Sequence, residues 1–466
     1  MVTDPATGRP ERGVLGPALV YGFASAVCVW TAWFVTHVPW VSLAEPVRVG
    51  VVLGVWLLVS LLAGRATGAA RGLQVGALSG LIAAAVGLLL LGAKIIPPEG
   101  TQGATPVYLI VPGFLALGAV VGAIGGVIGG LSNRRPAAGD WLARFSIVTV
   151  MSAAPLLFVG GLVTTTNSGM AVPDWPRTFG MNMFLYPLGN ANVDVFLEHS
   201  HRLFGTLVGL TALVLMVWTV RSEPRRWVKG FAIGVFAAIV VQGVLGGGRV
   251  LGNSVAAAIV HGVFAQIIFA GLVALAAMLW MTPERLAGVQ PFERDRKVKA
   301  LVTAALHSTI LQVIFGAAYR HTREMKGATH ALFAHIGFSF IVLVAALLGG
   351  MYAASIPATA TGPVRVLRRL GQALVAAVSV QFLLGWAAWS MGGSGRVPEL
   401  VSQSLLRTAH QANGAVLLGV ATAAAVVAKM VYRAAHNPGE RRCSRCGYVL
   451  AGLPEVTQCP ECGQPT

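Results

Sequence analysis

A carboxylate, two histidines and an arginine stand together in FLEHSHRLFG (196–205), beside a long apolar run. Titratable side chains are costly next to hydrocarbon, so their presence here indicates a functional site. Glu198 precedes His201 by three residues and Arg202 by four, which places all three on one side of a helix. Such a carboxylate can accept a proton or stabilise a developing positive charge beside a group that the histidine binds. The alternative is that Glu198 only pairs with Arg202.

Histidine recurs near the start of three later apolar runs, at His261, His335 and His410. Facing histidines on neighbouring helices can occupy both axial positions of a heme iron. Small residues one turn beyond the histidines, Gly205 and Gly414 among them, leave room for a flat macrocycle. A lone histidine in a membrane helix is more often a hydrogen-bonded packing residue, but four at matching positions favour iron ligation. His330 is the alternative to His335.

The same helix ends carry further basic residues. Arg202, Arg249 and Arg320 are candidates for binding heme propionates, because a guanidinium group pairs with a carboxylate through two hydrogen bonds. The alternative is that each arginine reaches out to lipid phosphates. His199, at a predicted helix end, is expected to be solvated.

The composition indicates a membrane protein with many spans. Hydrophobic residues make up 55% of the 466 residues and charged residues 11%, and the mean hydropathy is +0.72. A soluble domain could not bury so much apolar surface. The net charge is +17, but no basic patch with interleaved aromatic residues occurs, so nucleic acid is not an expected partner and membrane lipid is. Twelve apolar runs are long enough to cross a bilayer as helices, at 16–36, 48–64, 73–93, 106–131, 146–166, 203–220, 229–249, 256–280, 300–318, 332–352, 370–390 and 409–432.

Positive charges lie in alternate loops, for example at Arg65 and Arg71, at Arg225 and Arg226, and at Arg365. By the positive-inside rule these loops face the cytoplasm, and both chain termini are expected there too. The chain is therefore predicted to be a multi-pass protein of a bacterial-type inner (cytoplasmic) membrane. The four histidines then fall at the outer ends of their helices.

The later part of the chain is internally duplicated. VQGVLGGGRV (241–250), LQVIFGAAYR (311–320) and VQFLLGWAAW (380–389) each carry a glutamine followed by a glycine four residues later. Together with the histidines of the alternate helices, this repeat predicts two four-helix bundles, at 141–290 and 291–436. Residues 1–140 share neither feature and are predicted to form a separate four-helix membrane module of unknown role. Twelve spans and repeats also suggest a transporter, but that class needs polar groups near the bilayer midplane.

Four cysteines crowd the C-terminal tail, 437–466, in CSRCGYVLAGLPEVTQCPECG. Cys443, Cys446, Cys459 and Cys462 form a CxxC…CxxC pattern, whose two turns direct four thiolates at one tetrahedral ion. The spacing is typical of a zinc ribbon, and the reducing cytoplasm makes disulfides unexpected. Four thiolates close the coordination shell, so Zn²⁺ is expected to be structural.

Several of these motifs resemble the heme A synthase family. EHSHR (198–202) matches its Glu-x-x-His-Arg motif, and NSGMAVPDWPRTFG (167–180) is similar to its first outer loop. YRHT (319–322) and RTAHQANG (407–414) resemble the end of the family's fifth helix and the start of its last one. The resemblance covers roughly residues 145–432.

The resemblance implies an oxidoreductase with eight core helices in two bundles. His201 and His261 would serve the substrate heme, and His335 and His410 would hold a heme b. The implied reaction oxidises a methyl group of heme O to the formyl group of heme A, with Glu198 as the essential carboxylate. Heme O synthase and the assembly of cytochrome oxidase are the implied partners, and the electron acceptor stays open. A non-catalytic diheme b-type electron carrier is the alternative, since it shares the histidines without needing Glu198.

Two features depart from the family pattern. Many bacterial members have a cysteine pair in the first outer loop, where this chain has Val172 and Thr178. FAHIG (333–337) also lacks an arginine after His335, which weakens the case for propionate binding in the second half. Asp174 and Trp175 are expected either to cap a heme edge or to form an ordinary loop turn.

Overall fold

The computed structural model describes residues 13–95, 106–132, 139–323, 325, 328–391, 401–436, 443, 445, 446, 448, 450 and 457–465. Within these residues the fold is almost entirely helical, as predicted. Twelve helices are long and apolar enough to cross a membrane, which confirms the predicted number of spans. The helices are α1 (Leu15–His37), α2 (Glu45–Thr67), α3 (Ala69–Ile95), α4 (Val107–Leu131), α5 (Trp141–Thr165), α6 (Val193–Ser222), α7 (Arg226–Gly252), α8 (Val255–Trp280), the short α9 (Pro283–Leu286), α10 (Asp295–Thr322), α11 (Ala328–Ala354), α12 (Gly362–Ser390) and α13 (Val401–His436).

Two histidine-bearing helices begin earlier than their apolar runs. Helix α6 starts at Val193 and α13 at Val401, whereas the runs start at residues 203 and 409. The extra turns contain the polar residues around Glu198 and Arg407, which are helical although they are not apolar. The four histidines lie six to nine residues after the first residue of their helices, which is roughly two turns.

The chain divides into two compact units. The first comprises Met1–Val163 and Asn167–Thr211, and the second comprises Thr164–Thr166 and Ala212–Thr466. This division differs from the predicted boundaries at residues 140, 290 and 436, which stay predictions. Helix α6 contributes its N-terminal part, with Glu198 and His201, to the first unit and its C-terminal part to the second.

Glycines bring the helices of the first unit into backbone contact. A Cβ atom at Gly76 or Gly80 of α3 would overlap the carbonyl oxygen of Gly122 or Gly118 of α4. Without a hydrophobic driving force between helices in lipid, such close packing of small residues is a main source of helix association. The glycine spacing of four residues thus holds α3 and α4 together along their length.

Aromatic rings join α1 to α5 and α6 within the same unit. The Phe23 ring lies 5.4 Å from that of Phe145 in α5, at an interplanar angle of 85°. Phe34 lies 5.7 Å from Phe196 and 5.8 Å from Phe204, both in α6. Edge-to-face and offset aromatic pairs of this kind add to the gain from burial alone. Helix α1 therefore supports the segment of α6 that carries the FLEHSHR residues.

In the second unit, α10, α11, α12 and α13 pack in a closed ring, each against two of the others. Their shared core is apolar and built from small and branched side chains, among them Val302, Ala346, Leu374, Ala421 and Val431. Helix α8 packs against α10 and α13, and α7 packs against α8. Helices α10–α13 thus form a four-helix arrangement, and the predicted bundle boundaries at residues 291 and 436 stay predictions.

Candidate functional site

Glu198 is buried in α6, with 4% of its surface exposed, and both of its carboxylate oxygens are engaged. Its Oε2 accepts a hydrogen bond from the backbone N–H of Val172 at 2.8 Å. Its Oε1 accepts one from Nη2 of Arg202 at 2.7 Å. The expected pairing of Glu198 with Arg202 is therefore present, and it orients the carboxylate towards the preceding loop.

Arg202 uses its terminal nitrogens to hold that loop on α6. Its Nη1 donates to the carbonyl oxygens of Asp174 at 2.7 Å and Arg177 at 3.0 Å. Its Nη2 donates to the carbonyl oxygen of Val172 at 2.9 Å as well as to Glu198. All four terminal N–H groups thus meet protein acceptors. The structure gives Arg202 the role of a loop anchor, and its predicted role as a propionate ligand stays a prediction.

The anchored loop contains a small β-hairpin that the sequence did not predict. Strand β1 (Arg177–Thr178) pairs antiparallel with β2 (Met181–Asn182). The Asp174 carboxylate closes the turn by accepting hydrogen bonds from the N–H groups of Phe179 at 2.8 Å and Gly180 at 2.7 Å. Desolvation acts to raise the pKa of Asp174, but these bonds outweigh it and lower that pKa below its ordinary value. Of the two expectations for Asp174, the structure supports the loop turn.

The expectation of a solvated His199 is wrong. His199 is 1% exposed, its Nδ1 lies 3.2 Å from Oγ1 of Thr178, and its ring lies 5.2 Å from that of Tyr186. Helical position alone could not show this, because the burial comes from the loop that folds back over α6. Val172 and Thr178, the positions expected to carry cysteines, are both among the residues that contact α6.

Each of the four candidate ligands packs its ring against a glycine of the preceding long helix. The pairs are His201 with Gly160, His261 with Gly246, His335 with Gly316 and His410 with Gly385. A Cβ atom at any of these glycines would lie 3.0–3.1 Å from an imidazole atom. The sequence showed Gly246, Gly316 and Gly385 as part of a repeat, but not Gly160, and it did not show that these glycines contact the histidine rings.

His335 and His410 face each other in the second unit. Their ring centroids are 6.3 Å apart and their planes differ by 86°. Imidazole nitrogen binds a transition metal at about 2 Å, so two imidazoles on opposite sides of one iron have centroids roughly 6 Å apart. The centroid distance matches that of two imidazoles bound to one iron, so His335 and His410 would be the residues that hold a heme. His330 is exposed, so the geometry favours His335 over the alternative ligand.

Beside His201, the small residues predicted to leave room for a ring are not covered by side chains. Cβ atoms at Gly205 and Gly209 would meet no atom within 4 Å in the part of the chain that the structure describes. This surface of α6 is therefore open to a flat group, as the sequence predicted.

Cations cluster around His261 and His321 in the second unit. The charges of Arg249, Arg320 and Arg323 all act on His321, and Arg249 also acts on His261. Arg320 donates a hydrogen bond from Nη2 to the carbonyl oxygen of Thr164. A cluster of guanidinium groups is suited to anionic groups such as propionates. Heme binding by Arg249 and Arg320 stays a prediction.

One arginine of the second half was not among the site residues predicted from the sequence. Arg407 precedes His410 by three residues in α13, which places it on the same side of the helix. Its Nη1 is buried and has no hydrogen-bond partner among the residues that the structure describes. The signal was present in RTAHQANG, where the arginine comes before the histidine and not after it.

The four tail cysteines converge as the zinc-ribbon pattern predicts. Their sulfur atoms all lie within 4.8 Å of one another, with Cys443 and Cys462 3.5 Å apart and Cys446 and Cys459 3.5 Å apart. Tetrahedral zinc with Zn–S bonds of about 2.3 Å brings sulfurs to roughly 3.8 Å, so the cluster fits one ion. Residues 437–442 and 451–456 of the predicted tail lie outside the described residues.

Polar contacts shape the cysteine cluster and connect it to α7. Desolvation acts to raise the pKa of the Cys443 thiol, but hydrogen bonds from the backbone N–H groups of Cys446 and Arg445 outweigh it and lower that pKa to about 7. Glu461, between the last two cysteines, accepts a hydrogen bond at 2.6 Å from the N–H of Arg226, the first residue of α7. A carboxylate is favourable at a helix N-terminus, so the cluster is seated on this helix.

Comparison with known proteins identifies relatives of the central part of the chain. Residues 143–332 match a family described as cytochrome oxidase assembly protein. A heme A synthase from Exiguobacterium sp. (strain ATCC BAA-1283 / AT1b) is 32% identical over 201 residues, which are 41% of this chain and 60% of that protein. One from Exiguobacterium sibiricum is 32% identical over 195 residues, covering 41% and 61%. One from Shouchella clausii is 28% identical over 185 residues, covering 39% and 60%.

These matches confirm the resemblance that the motifs indicated. The chain spans about 60% of the length of these curated relatives. The family match begins near the predicted residue 145 and contains Glu198, His201 and His261. It ends at residue 332, so His335 and His410 lie beyond it and are supported by their geometry.

Replacing Arg202 is expected to release the loop from α6. Arg202→Met removes four hydrogen bonds and leaves Glu198 as an uncompensated buried charge, so the free energy of unfolding should fall by about 3–5 kcal/mol. Denaturant unfolding of the purified protein in detergent measures this change, and limited proteolysis reports cleavage at 172–177. Arg221→Met is the matched control, because Arg221 is exposed on the same helix and should change stability by about 0.5 kcal/mol or less. Equal stability of the two variants would contradict the anchoring role.

Metal analysis tests the cysteine cluster. The protein purified from zinc-replete cells is expected to carry one zinc per chain, and Cys459→Ser should lose most of it because one of four thiolates is gone. Cys28→Ser is the control, since Cys28 lies in α1 and is not one of the four converging cysteines, so the zinc content should stay unchanged. A metal-free wild-type protein, or a Cys459→Ser protein with full zinc content, would refute the site.

Proposed function

Because residues 143–332 are related to heme A synthases, we propose that the chain acts in the biosynthesis of heme A for cytochrome oxidase. In specific terms, it would oxidise the methyl group of heme O to the formyl group of heme A. The observation that carries this proposal is the buried carboxylate of Glu198, three residues before His201 and within the matched segment. A diheme electron carrier would have no need for this carboxylate.

The reaction sets what the protein must provide. Conversion of a methyl group and one water to a formyl group releases four electrons and four protons, so it needs an electron acceptor and a proton acceptor. A bound heme supplies redox chemistry at its iron, and the protein supplies orientation and proton handling. The electron acceptor is not identified by the residues described here.

Glu198 is suited to the proton-handling part. Its carboxylate is held in one orientation by Arg202 and by the N–H of Val172, which removes the cost of ordering it during the reaction. A carboxylate so placed can accept a proton or stabilise positive charge one turn from a histidine ligand. Arg202 acts as a positioning residue, since it fixes both Glu198 and the covering loop.

The histidines have separate tasks in this proposal. His335 and His410 would hold a heme b, which their 6.3 Å ring spacing supports. His201 and His261 would serve heme O as the substrate, an assignment that rests on the resemblance alone. Arg249, Arg320 and Arg407 are the candidates for the propionates, because the charge of Arg249 acts on His261, that of Arg320 acts on His321, and Arg407 precedes His410 by three residues in α13.

The predicted membrane topology adds to the proposal the side of the membrane on which each site lies. The distribution of positive loops supports a place in the inner membrane, with both termini in the cytoplasm. The cysteine cluster would then hold zinc in the cytoplasm, and the histidines would face the outer side. Heme O synthase, which supplies the substrate, and the cytochrome oxidase assembly machinery, which uses the product, are the proposed partners.

Co-expression with a heme O synthase tests the activity. Cells that make heme O should accumulate heme A when they also express the wild-type chain, as measured by mass analysis of extracted hemes. Glu198→Ala should lower the heme A yield by about 10²–10⁴-fold, the range typical of losing a general base. Glu293→Ala is the control, because its carboxylate is exposed and outside the site. Heme O that persists unchanged with the wild-type protein would contradict the proposal, and heme A formation by Glu198→Ala would remove Glu198 from the mechanism.

A further inference from the structure

The loop before α6 contacts that helix on more than one side. Glu198 and Arg202 both bind the backbone of Val172 in this loop. His199 follows Glu198 directly, and successive residues of an α-helix point about 100° apart around its axis. Nδ1 of His199 lies 3.2 Å from Oγ1 of Thr178 in the hairpin strand β1. The loop is therefore held on α6 from a second direction, which Glu198 and Arg202 do not supply.

The contact between Thr178 and His199 is buried. Thr178 is 0% exposed and His199 is 1% exposed, so water is not at hand to replace their hydrogen bond. Breaking it would leave a buried hydroxyl and a buried ring nitrogen unpaired, which is costly. The carbonyl oxygen of Arg177, the other residue of β1, accepts a hydrogen bond from Arg202 at 3.0 Å. Both residues of β1 are thus bonded to α6, so the register of the strand on the helix is fixed.

Aromatic rings extend the contact of the hairpin with His199. The ring of Tyr186 lies 5.2 Å from that of His199 and 5.6 Å from that of Phe179, which stands in the hairpin turn. Ring pairs at this distance add to the gain from burial alone. The His199 ring therefore contacts the loop on both sides of the hairpin turn, at Thr178 before it and at Tyr186 after it.

A glycine of α3 receives the other end of the loop. The 3₁₀ turn Met183–Leu185, just before Tyr186, packs against α3. A Cβ atom at Gly92 of α3 would lie 2.6 Å from the carbonyl oxygen of Phe184 in this turn. That distance is shorter than any ordinary carbon–oxygen contact, so a side chain at this position would push the turn away. The loop is therefore held between α3 and α6.

We propose that His199, Thr178 and Gly92 are positioning residues that hold this loop in place over Glu198. This role rests on the proposed function of Glu198 and deepens it. Val172 belongs to the same loop and supplies the N–H that orients the Glu198 carboxylate, so a shift of the loop removes one of its two partners. A displacement of about 1 Å at a reacting group can cost about 10²-fold in rate.

The N-terminal segment gains a task at the site in this proposal. The family match covers residues 143–332, so α3 and Gly92 lie outside it, whereas the loop and Glu198 lie inside it. The contact of Gly92 with the 3₁₀ turn therefore joins a helix outside the matched segment to the loop that covers the carboxylate. Helix α3 supports Glu198 by way of this loop, without touching the reacting groups itself.

Hydrogen–deuterium exchange at the Val172 amide reports whether the loop stays on Glu198, and it needs no heme. Thr178→Val removes the hydroxyl, and His199→Phe keeps a ring but removes Nδ1. Each should speed exchange of the peptide that contains Val172 about 2–10-fold, because one hydrogen bond that holds the loop is lost. Thr211→Val is the matched control, since Thr211 is buried in the same helix and donates to a carbonyl oxygen of that helix.

Conservative variants separate the hydrogen bond from the bulk of the side chains. Thr178→Ser keeps the hydroxyl, and His199→Asn places an amide close to the position of Nδ1, so both should restore slow exchange of the Val172 peptide. Exchange at the wild-type rate in both Thr178→Val and His199→Phe would overturn the positioning role.

Heme A yield in cells that make heme O connects the loop to the reaction. Thr178→Val and His199→Phe should lower the yield by up to about 10²-fold, whereas Thr211→Val should leave it unchanged. A wild-type chain that forms no heme A would refute the proposed function, yet the exchange measurement would still decide whether these residues hold the loop. Faster exchange with a wild-type yield of heme A would show that the loop does not position Glu198, and would overturn the inference.

A glycine substitution tests the contact with α3. Gly92→Ala places a methyl group against the Phe184 carbonyl oxygen, so it should speed exchange of the peptides that contain residues 183–186 and Val172, and lower the heme A yield. Gly54→Ala is the control, because a Cβ at Gly54 of α2 would meet no atom within 4 Å among the described residues. Equal exchange and equal yield in the two variants would refute the positioning role of Gly92.

Discussion

The close approach of a histidine ring to a glycine on the preceding helix is the contact on which the rest of the candidate site depends. An imidazole inside a membrane protein needs space and polar partners, and both come from the neighbouring helix. Glycine supplies the space, because any Cβ at Gly246, Gly316 or Gly385 would crowd the ring. On the same helices, Gln242 and Gln312 donate hydrogen bonds to the backbone carbonyl oxygens of His261 and His335, and Nε2 of Gln381 lies 3.3 Å from Nδ1 of His410. The repeat therefore places a glycine and a glutamine of one helix beside a histidine of the next helix three times.

The chemistry at the first histidine is organised differently. There Glu198 and Arg202, on the same helix as His201, fix the preceding loop to α6 through hydrogen bonds with its backbone. The bonds at residue 172 use only the backbone N–H and carbonyl of Val172, so they do not depend on its side chain. The helices of residues 1–140 also contribute, since α1 packs its aromatic rings against α5 and α6. This support gives the N-terminal segment at least one structural task.

Much of this architecture could be predicted from the sequence, and the failures share one cause. Apolar length predicted the twelve spans, cysteine spacing predicted that four cysteines converge, and the four-residue spacing offered the Glu198–Arg202 pair as one of two interpretations. These features are local, so the chain displays them directly. The burial of His199, the loop contacts of Arg202 and the glycine seats depend on which segments meet in three dimensions. Hydropathy reports how apolar a helix is, but it does not identify the neighbour against which each side of the helix packs.

The electron paramagnetic resonance spectrum of the ferric protein tests most directly whether the histidines meet across an iron. If His335 and His410 both bind the iron of one heme, the ferric protein should give the low-spin signal of a heme with two imidazole ligands. That signal should vanish in His410→Ala and persist in His330→Ala. A wild-type protein that shows no low-spin heme signal when expressed in heme-replete cells, or whose signal survives His410→Ala, would contradict the account.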